Sequence, residues 1–212
     1  MIKQHFVITI GRQYGSGGRL VGKRLAEELG IHFYDNDILK LTSERTAIGE
    51  QYFRMADEKA GNNILYKIIN NLTPDIGKPN LDDNIVSPEN LFRFQAEVIR
   101  EIAKNETCII AGRCGNYILK ENNTPNLVNL FVYADMTTRI QRVMDYDKIN
   151  KEDAEKRIRK IDKERTEYHR YYTGEDWMNP SSYDLLINAS RISYDEMEVL
   201  MKDYIRMKGF ID

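Results

Sequence analysis

Short apolar runs alternate along this chain with stretches whose apolar residues recur at helical spacing. Residues 5–10 hold Phe6, Val7, Ile8 and Ile10 in a nearly continuous run, the pattern of a buried strand. The glycine-rich segment 11–19 follows, and then an amphipathic stretch. There Leu20, Leu25 and Leu29 fall near one face, Lys23, Arg24, Glu27 and Glu28 supply the polar positions, and Gly30 is a natural helix stop. Residues 31–34 read as a second short strand ending in Asp35-Asn36-Asp37. A strand, a glycine-rich loop, a helix and a strand in that order predict a parallel sheet.

Residues 37–72 read as two or three helices with no strand between them, and 73–88 as a loop carrying Pro74, Gly77, Pro79 and Pro88. Ser87 as N-cap and Pro88 at the first helical position open a helix to about 104, with Leu91, Phe94, Val98 and Ile102 at helical spacing. Strands are expected at 107–111, 127–133 and 183–188, and helices from 137 and over 193–207. The stretch 150–172 predicts a long, highly charged helix whose low apolar content should leave it partly free of the core. The expected architecture is a single α/β domain over 1–212, with about five strands, a helical insertion at 37–90 and a charged arm at 150–178.

Composition narrows this picture. With 212 residues the chain suits one domain, and a formal net charge of -2 gives no global reason to expect a nucleic-acid partner. Cys108 and Cys114 are the two cysteines, so a reducing, cytoplasmic setting without disulfides is the simpler expectation, and with three histidines they make no zinc set. No apolar stretch is long enough to span a bilayer and no secretory leader is apparent, so no membrane partner is expected. Monomer and homodimer both remain open.

Four features carry candidate chemistry. The loop Gly11-Arg-Gln-Tyr-Gly-Ser-Gly-Gly-Arg19, between strand and helix, would present backbone N–H groups and a helix N-terminus to an anion, with Arg19 as side-chain cation. It departs from G-x-x-x-x-G-K-[ST]: the lysine is missing, Leu20 stands where a hydroxyl is expected if Arg19 replaces the lysine, and the loop is one residue longer than usual if Gly17 is its last glycine. A tight turn that only packs a helix on the sheet is the plain alternative. Asp35, after the second strand, would face the crevice at the strand ends or cap the next helix. Arg113, beside Gly112 after the middle strand, can grip a phosphate through its planar fork or form an ordinary salt bridge. In the charged arm, Arg159, Asp162, Arg165 and His169 share a face that suits a lid over transferring phosphates, though most charge runs are solvated surfaces. Tyr168, Tyr171, Tyr172 and Trp177 read as packing at the arm's end, and Cys114 as a small core residue.

The stretches Ile8-Thr-Ile-Gly-Arg-Gln-Tyr-Gly-Ser-Gly-Gly-Arg19, Phe33-Tyr-Asp35, Ile110-Ala-Gly-Arg-Cys114, Tyr171-Tyr-Thr-Gly174 and Tyr183-Asp-Leu-Leu-Ile-Asn188 together resemble the cytidylate kinase-like family, from the first strand to the last helix. The resemblance implies a three-layer P-loop kinase core with a parallel five-stranded sheet, a helical substrate-binding insertion and an arginine-bearing lid. It implies ATP and Mg²⁺, and a small phosphorylated or hydroxylated acceptor such as CMP. Gly15, Ser16, Gly17, Gly18, Arg19 and Leu20 would form the ATP loop, Asp35 would lie near acceptor phosphate and metal, and Arg113 would contact the monophosphate. Arg165, with Arg159 and Arg170, resembles lid arginines, and the loop from Ala189 to Arg191 would border adenine. The family's Gly-Arg-Asp reads Gly112-Arg113-Cys114 here, which leaves the acceptor base unassigned. A non-catalytic nucleotide-binding module on the same fold is the alternative.

Overall fold

In a computed structural model, residues 1–35, 37–46 and 87–212 are described. The helices expected between 47 and 72 and the loop expected from 73 to 86 lie outside the described residues.

The apolar runs form five parallel strands: β1 (Val7–Arg12), β2 (His32–Tyr34), β3 (Cys108–Ala111), β4 (Leu127–Tyr133) and β5 (Leu185–Asn188), in the order β2-β3-β1-β4-β5. β1 is central, and its side chains divide between two cores. Ile8 and Ile10 face α1 (Gly18–Leu29) and α7 (Tyr194–Met207), meeting Val21, Leu25, Met197 and Met201. Val7, with Cys108 and Ile110 of β3, faces the other way, toward Phe92, Ile99 and Ile102 of α3 (Pro88–Asn105) and Ile118 of α4 (Gly115–Glu121). Alternation along a strand between two covered faces makes the three layers. α2 (Asp37–Thr46) packs against α3 through Leu39 and Leu91. The caps follow the local sequence: Ser87 accepts from the Asn90 N–H with Pro88 in the first turn, and Ser193 and Glu196 form a reciprocal capping box.

Two expectations are corrected. Leu20 is exposed, because α1 starts at Gly18 and its sheet-facing stripe runs through Val21 and Leu25, four residues apart. The charged arm is also anchored along its length. It forms α6 (Lys151–Thr173), which follows α5 (Met136–Asp147). Its few apolar residues sit at buried positions: Ala154 and Ile158 meet Ile140 and Val143 of α5, and the fully buried Tyr172 stacks on Phe92 with ring centroids 4.0 Å apart. The aromatic residues at the arm's end do pack, in two groups. Tyr168, Tyr171 and Tyr172 surround one another, whereas Trp177 joins Phe131 and Tyr183.

Candidate active site

The helix after β1 and the helix after β3 leave these adjacent strands on opposite faces of the sheet. Such a divergence opens a crevice at the carboxyl ends of the strands. Here the crevice is a cavity of about 680 Å³, floored by Arg12, Asp35, Gly112 and Arg113 and walled by α6 through Lys160, Glu164, Arg165 and His169.

Beside it, the glycine-rich loop turns sharply at Gly15 (φ 77°) and Gly17 (φ 92°), the latter being the N-cap of α1. Side chains other than glycine are disfavoured at such angles. Gly17 is also in close contact, since a Cβ there would lie 2.5 Å from the Tyr194 ring. Buried Ser16 donates its hydroxyl to the Gln13 carbonyl (2.8 Å), which ties the loop to itself. Gly18 explains the missing lysine. Any Cβ at Gly18 would come within 2.9 Å of Val132 Cβ and 3.0 Å of Arg12 Cβ, both close to backbone and unable to yield.

Cations reach the site from elsewhere. β1 continues through Gly11 to Arg12, whose guanidinium donates to Asp35 Oδ1 (2.8 Å), and Arg19 Nε donates to Asp35 Oδ2 (2.5 Å). The Arg12 side chain is 11% exposed and that of Arg19 is 58% exposed. Arg165 donates to the Arg12 carbonyl (2.8 Å). Burial first, and then the field of Arg165, pulls the Arg12 pKa down to about 9; Arg113 and Arg19 act in the same direction, and Asp35 opposes them. Burial also lowers the Arg165 pKa. Arg12 and Arg19 thus pair with one carboxylate, while Arg113 and Arg165 lie within electrostatic reach of Arg12, an anion-seeking excess of positive charge. The Arg12 Nε is buried with no hydrogen-bond partner among the described residues.

The turn after β3 supports this cluster. Gly112, Arg113 and Cys114 all have left-handed backbones (φ 80°, 56° and 55°), a conformation that costs about 1 kcal/mol or more per non-glycine residue and gathers at functional sites. At Gly112 glycine suits the left-handed backbone, and a Cβ there would also displace the tip of the Arg12 side chain.

Of the residues expected from sequence, Arg19, Asp35, Arg113 and Arg165 come together, next to the loop Gly15 to Gly18. Arg159 stands apart: its side chain is 65% exposed and pairs with Glu155, one turn earlier. Leu20 points to solvent, and Arg191 is exposed. Ala189 is fully buried and its carbonyl accepts from Arg142. Among the described residues no group of three or more His, Cys, Asp or Glu is arranged to hold a metal ion, and no helix is long and apolar enough to cross a membrane. Cys108 and Cys114 are both buried thiols, and burial pushes Cys108 up to about 12.

Four residues were not legible as site residues in the sequence. Arg12 falls in the glycine-rich segment 11–19. Gln13 accepts from the Ala134 N–H (3.1 Å). Arg139 pairs with Asp162, which also accepts from the Tyr14 N–H (2.8 Å), so α5, α6 and the loop meet at one carboxylate. Arg142 donates to the carbonyls of Ser16 (2.7 Å) and Ala189 (3.0 Å), with its guanidinium 4.8 Å from the Tyr194 ring centroid. Only an acidic and a basic residue at helical positions marked Asp162 and Arg139, and that signal is common to most surface helices.

Comparison with known proteins agrees with this geometry. The model of the cytidylate kinase-like family matches residues 7–191. The chain is 28% identical over 204 residues to a cytidylate kinase of Methanopyrus kandleri, covering 92% of this chain and 91% of that one. It is 25% identical over 203 residues to a cytidylate kinase of Pyrococcus horikoshii, covering 95% and 89%. Among solved structures, an uncharacterized protein from Eubacterium ventriosum superposes with a TM-score of 0.68 at 27% identity, over 95% of this chain and 99% of that one. A shikimate kinase from Bacteroides thetaiotaomicron shares the fold, with a TM-score of 0.50 at 14% identity over 95% and 98%. With the matching model spanning most of its length and a crevice built to gather anions at the ends of its parallel strands, the chain belongs to the cytidylate kinase-like family and is a kinase.

Proposed function

We propose that this kinase transfers the γ-phosphoryl group of ATP to a nucleoside monophosphate, with CMP the first candidate. The observation that carries the reading is the cluster of Arg12, Arg19, Arg113 and Arg165 around Asp35, bordering a cavity of about 680 Å³ beside the glycine-rich loop. A phosphate oxygen of the acceptor attacks the γ-phosphorus, the bond to the β,γ-bridging oxygen breaks, and ADP leaves with that electron pair. Such a transfer needs positioning and charge neutralisation more than a protein base.

The loop from Gly15 to Arg19 holds the triphosphate through backbone N–H groups. Arg12 and Arg165, already inward, neutralise charge between donor and acceptor, and Arg113 grips the acceptor phosphate. Arg142 holds the loop against the turn at Ala189, which borders the adenine. In this reading α6 is the lid over the transferring group and the segment 37–90 completes the acceptor side.

The residues fit an ATP phosphate chain well. For Mg²⁺ they offer less: Asp35 is engaged by two arginines, and with Gly18 in the lysine's place the hydroxyl position holds Arg19. The triphosphate itself would be the chief ligand of the ion, with Asp35 behind its water shell. When bound, the ion supplies charge neutralisation on the phosphate oxygens.

The test is ADP release from ATP and Mg²⁺ with CMP, dCMP, UMP, AMP and GMP in turn. Acceptor-dependent ADP supports the reading. ATP binding without turnover of any acceptor would leave a nucleotide-binding module, the reading favoured by the lysine-free loop.

A further inference from the structure

His169 lies four residues beyond Arg165 on the same wall of the cavity, about 6 Å further along the helix. It is 3% exposed, and its Nε2 is buried with no hydrogen-bond partner among the described residues. Orphaned buried polar atoms are rare in folded proteins and call for a specific reason. The wall changes character at this level. On α6, Lys160, Glu164 and Arg165 give way to Tyr168 and His169, and Cys114, Asn116 and Trp177 also line the space. One part of the cavity is therefore cationic and another is neutral and capable of hydrogen bonding. Burial keeps the imidazole uncharged, its pKa lowered to about 4 against the opposing fields of Glu175 and Asp176.

A bare phosphate uses only the cationic part. A volume of about 680 Å³ is in the range of sites that enclose a whole small molecule. We propose that His169 is a specificity-determining residue that hydrogen-bonds, through Nε2, the neutral heteroatom-bearing edge of the acceptor's base. This inference rests on the kinase reading above and adds to it the group that distinguishes one acceptor from another.

The test is calorimetric titration of the full chain with CMP, UMP, AMP, GMP and ribose 5-phosphate, the last carrying a phosphate and a sugar but no base. The wild type should bind at least one base-bearing phosphate about tenfold more tightly than ribose 5-phosphate. In His169→Phe this ratio should fall to near unity, with the affinities for ribose 5-phosphate and ATP unchanged. The ligand-free variant should melt no lower than the wild type, since it loses an unpartnered polar group; a purely structural histidine would instead leave the ratio intact and lower the melting temperature. If the phenylalanine variant does not fold, His169→Gln decides, because a side chain of different reach should reorder the four nucleotides. A wild type with no preference for any base, or variants that keep the wild-type ratio and ranking, would overturn the proposal. Failure of the kinase reading looks different: base-selective binding would persist without ADP release.

Discussion

Asp35→Asn is the most informative single perturbation, because one carboxylate holds two arginines of the anion site. Arg12 and Asp35 have side chains only 11% and 10% exposed, so the substitution leaves a buried guanidinium without its counter-charge. Breaking a buried pair by removing one partner costs about 3–5 kcal/mol, and the open cavity alongside argues for the lower end. Arg19 is 58% exposed, so its share is about 1 kcal/mol or less. The expected loss is about 3–4 kcal/mol, and at about 2–4 °C per kcal/mol for a domain of this size the melting temperature should fall by about 10 °C. The same change should strengthen anion binding, because the arginines lose the internal anion that competes with a phosphate. Differential scanning calorimetry with and without inorganic pyrophosphate reads both effects. Pyrophosphate should raise the melting temperature more in the variant than in the wild type. A fall with no extra response to pyrophosphate would refute the idea that Asp35 holds the cluster in place of a phosphate, and no fall at all would refute the buried pair.

Restoring the lysine should do harm: Gly18→Lys forces a side chain against Val132 and Arg12, and overpacking of this kind costs about 1–3 kcal/mol, so thermal melts should show destabilisation and kinase assays no gain. Arg142→Lys cannot reach the Ser16 and Ala189 carbonyls together and still lie against Tyr194; ATP affinity by calorimetry should weaken about tenfold, with acceptor affinity nearly unchanged. His169 has a folded pKa of about 4 against 6.5 unfolded, so the unfolded chain takes up the proton first and stability is lost as pH falls from 6.5 toward 4. By its pKa shift that loss amounts to about 3 kcal/mol, and the difference between wild type and His169→Phe in denaturant titrations across this range should show it; equal pH slopes would contradict a buried neutral imidazole.

Where local rules governed, the sequence was a good guide. The turn at Gly15 and Gly17 needs left-handed backbone, and glycine announces it. Asp35 follows a strand, and the strand ends of a parallel sheet meet at one crevice. Ser87 marked its helix start by cap chemistry. Arg12 was hidden because Gly11 looks like the start of a loop. In the fold Gly11 is a strand residue, small because Phe131 fills the space a Cβ would need. In the arm, spacing matters more than content: a few apolar residues suffice when Ala154, Ile158 and Tyr172 fall on the inward stripe. Arg142 reaches partners 126 and 47 residues distant in sequence, and no local pattern encodes that.

The burial of Tyr172 has a mechanical consequence for α6. The helix is held at both ends, by Tyr172 against Phe92 and by Ala154 and Ile158 against Ile140 and Val143 of α5. At 1.5 Å per residue, Ile158 and Tyr172 lie about 21 Å apart along the axis, with Arg165 and His169 between them. Such a helix is a beam on two supports and not a hinged arm. The groups that face the cavity stay in register, and a ligand that needs more room has to displace α5 together with α6.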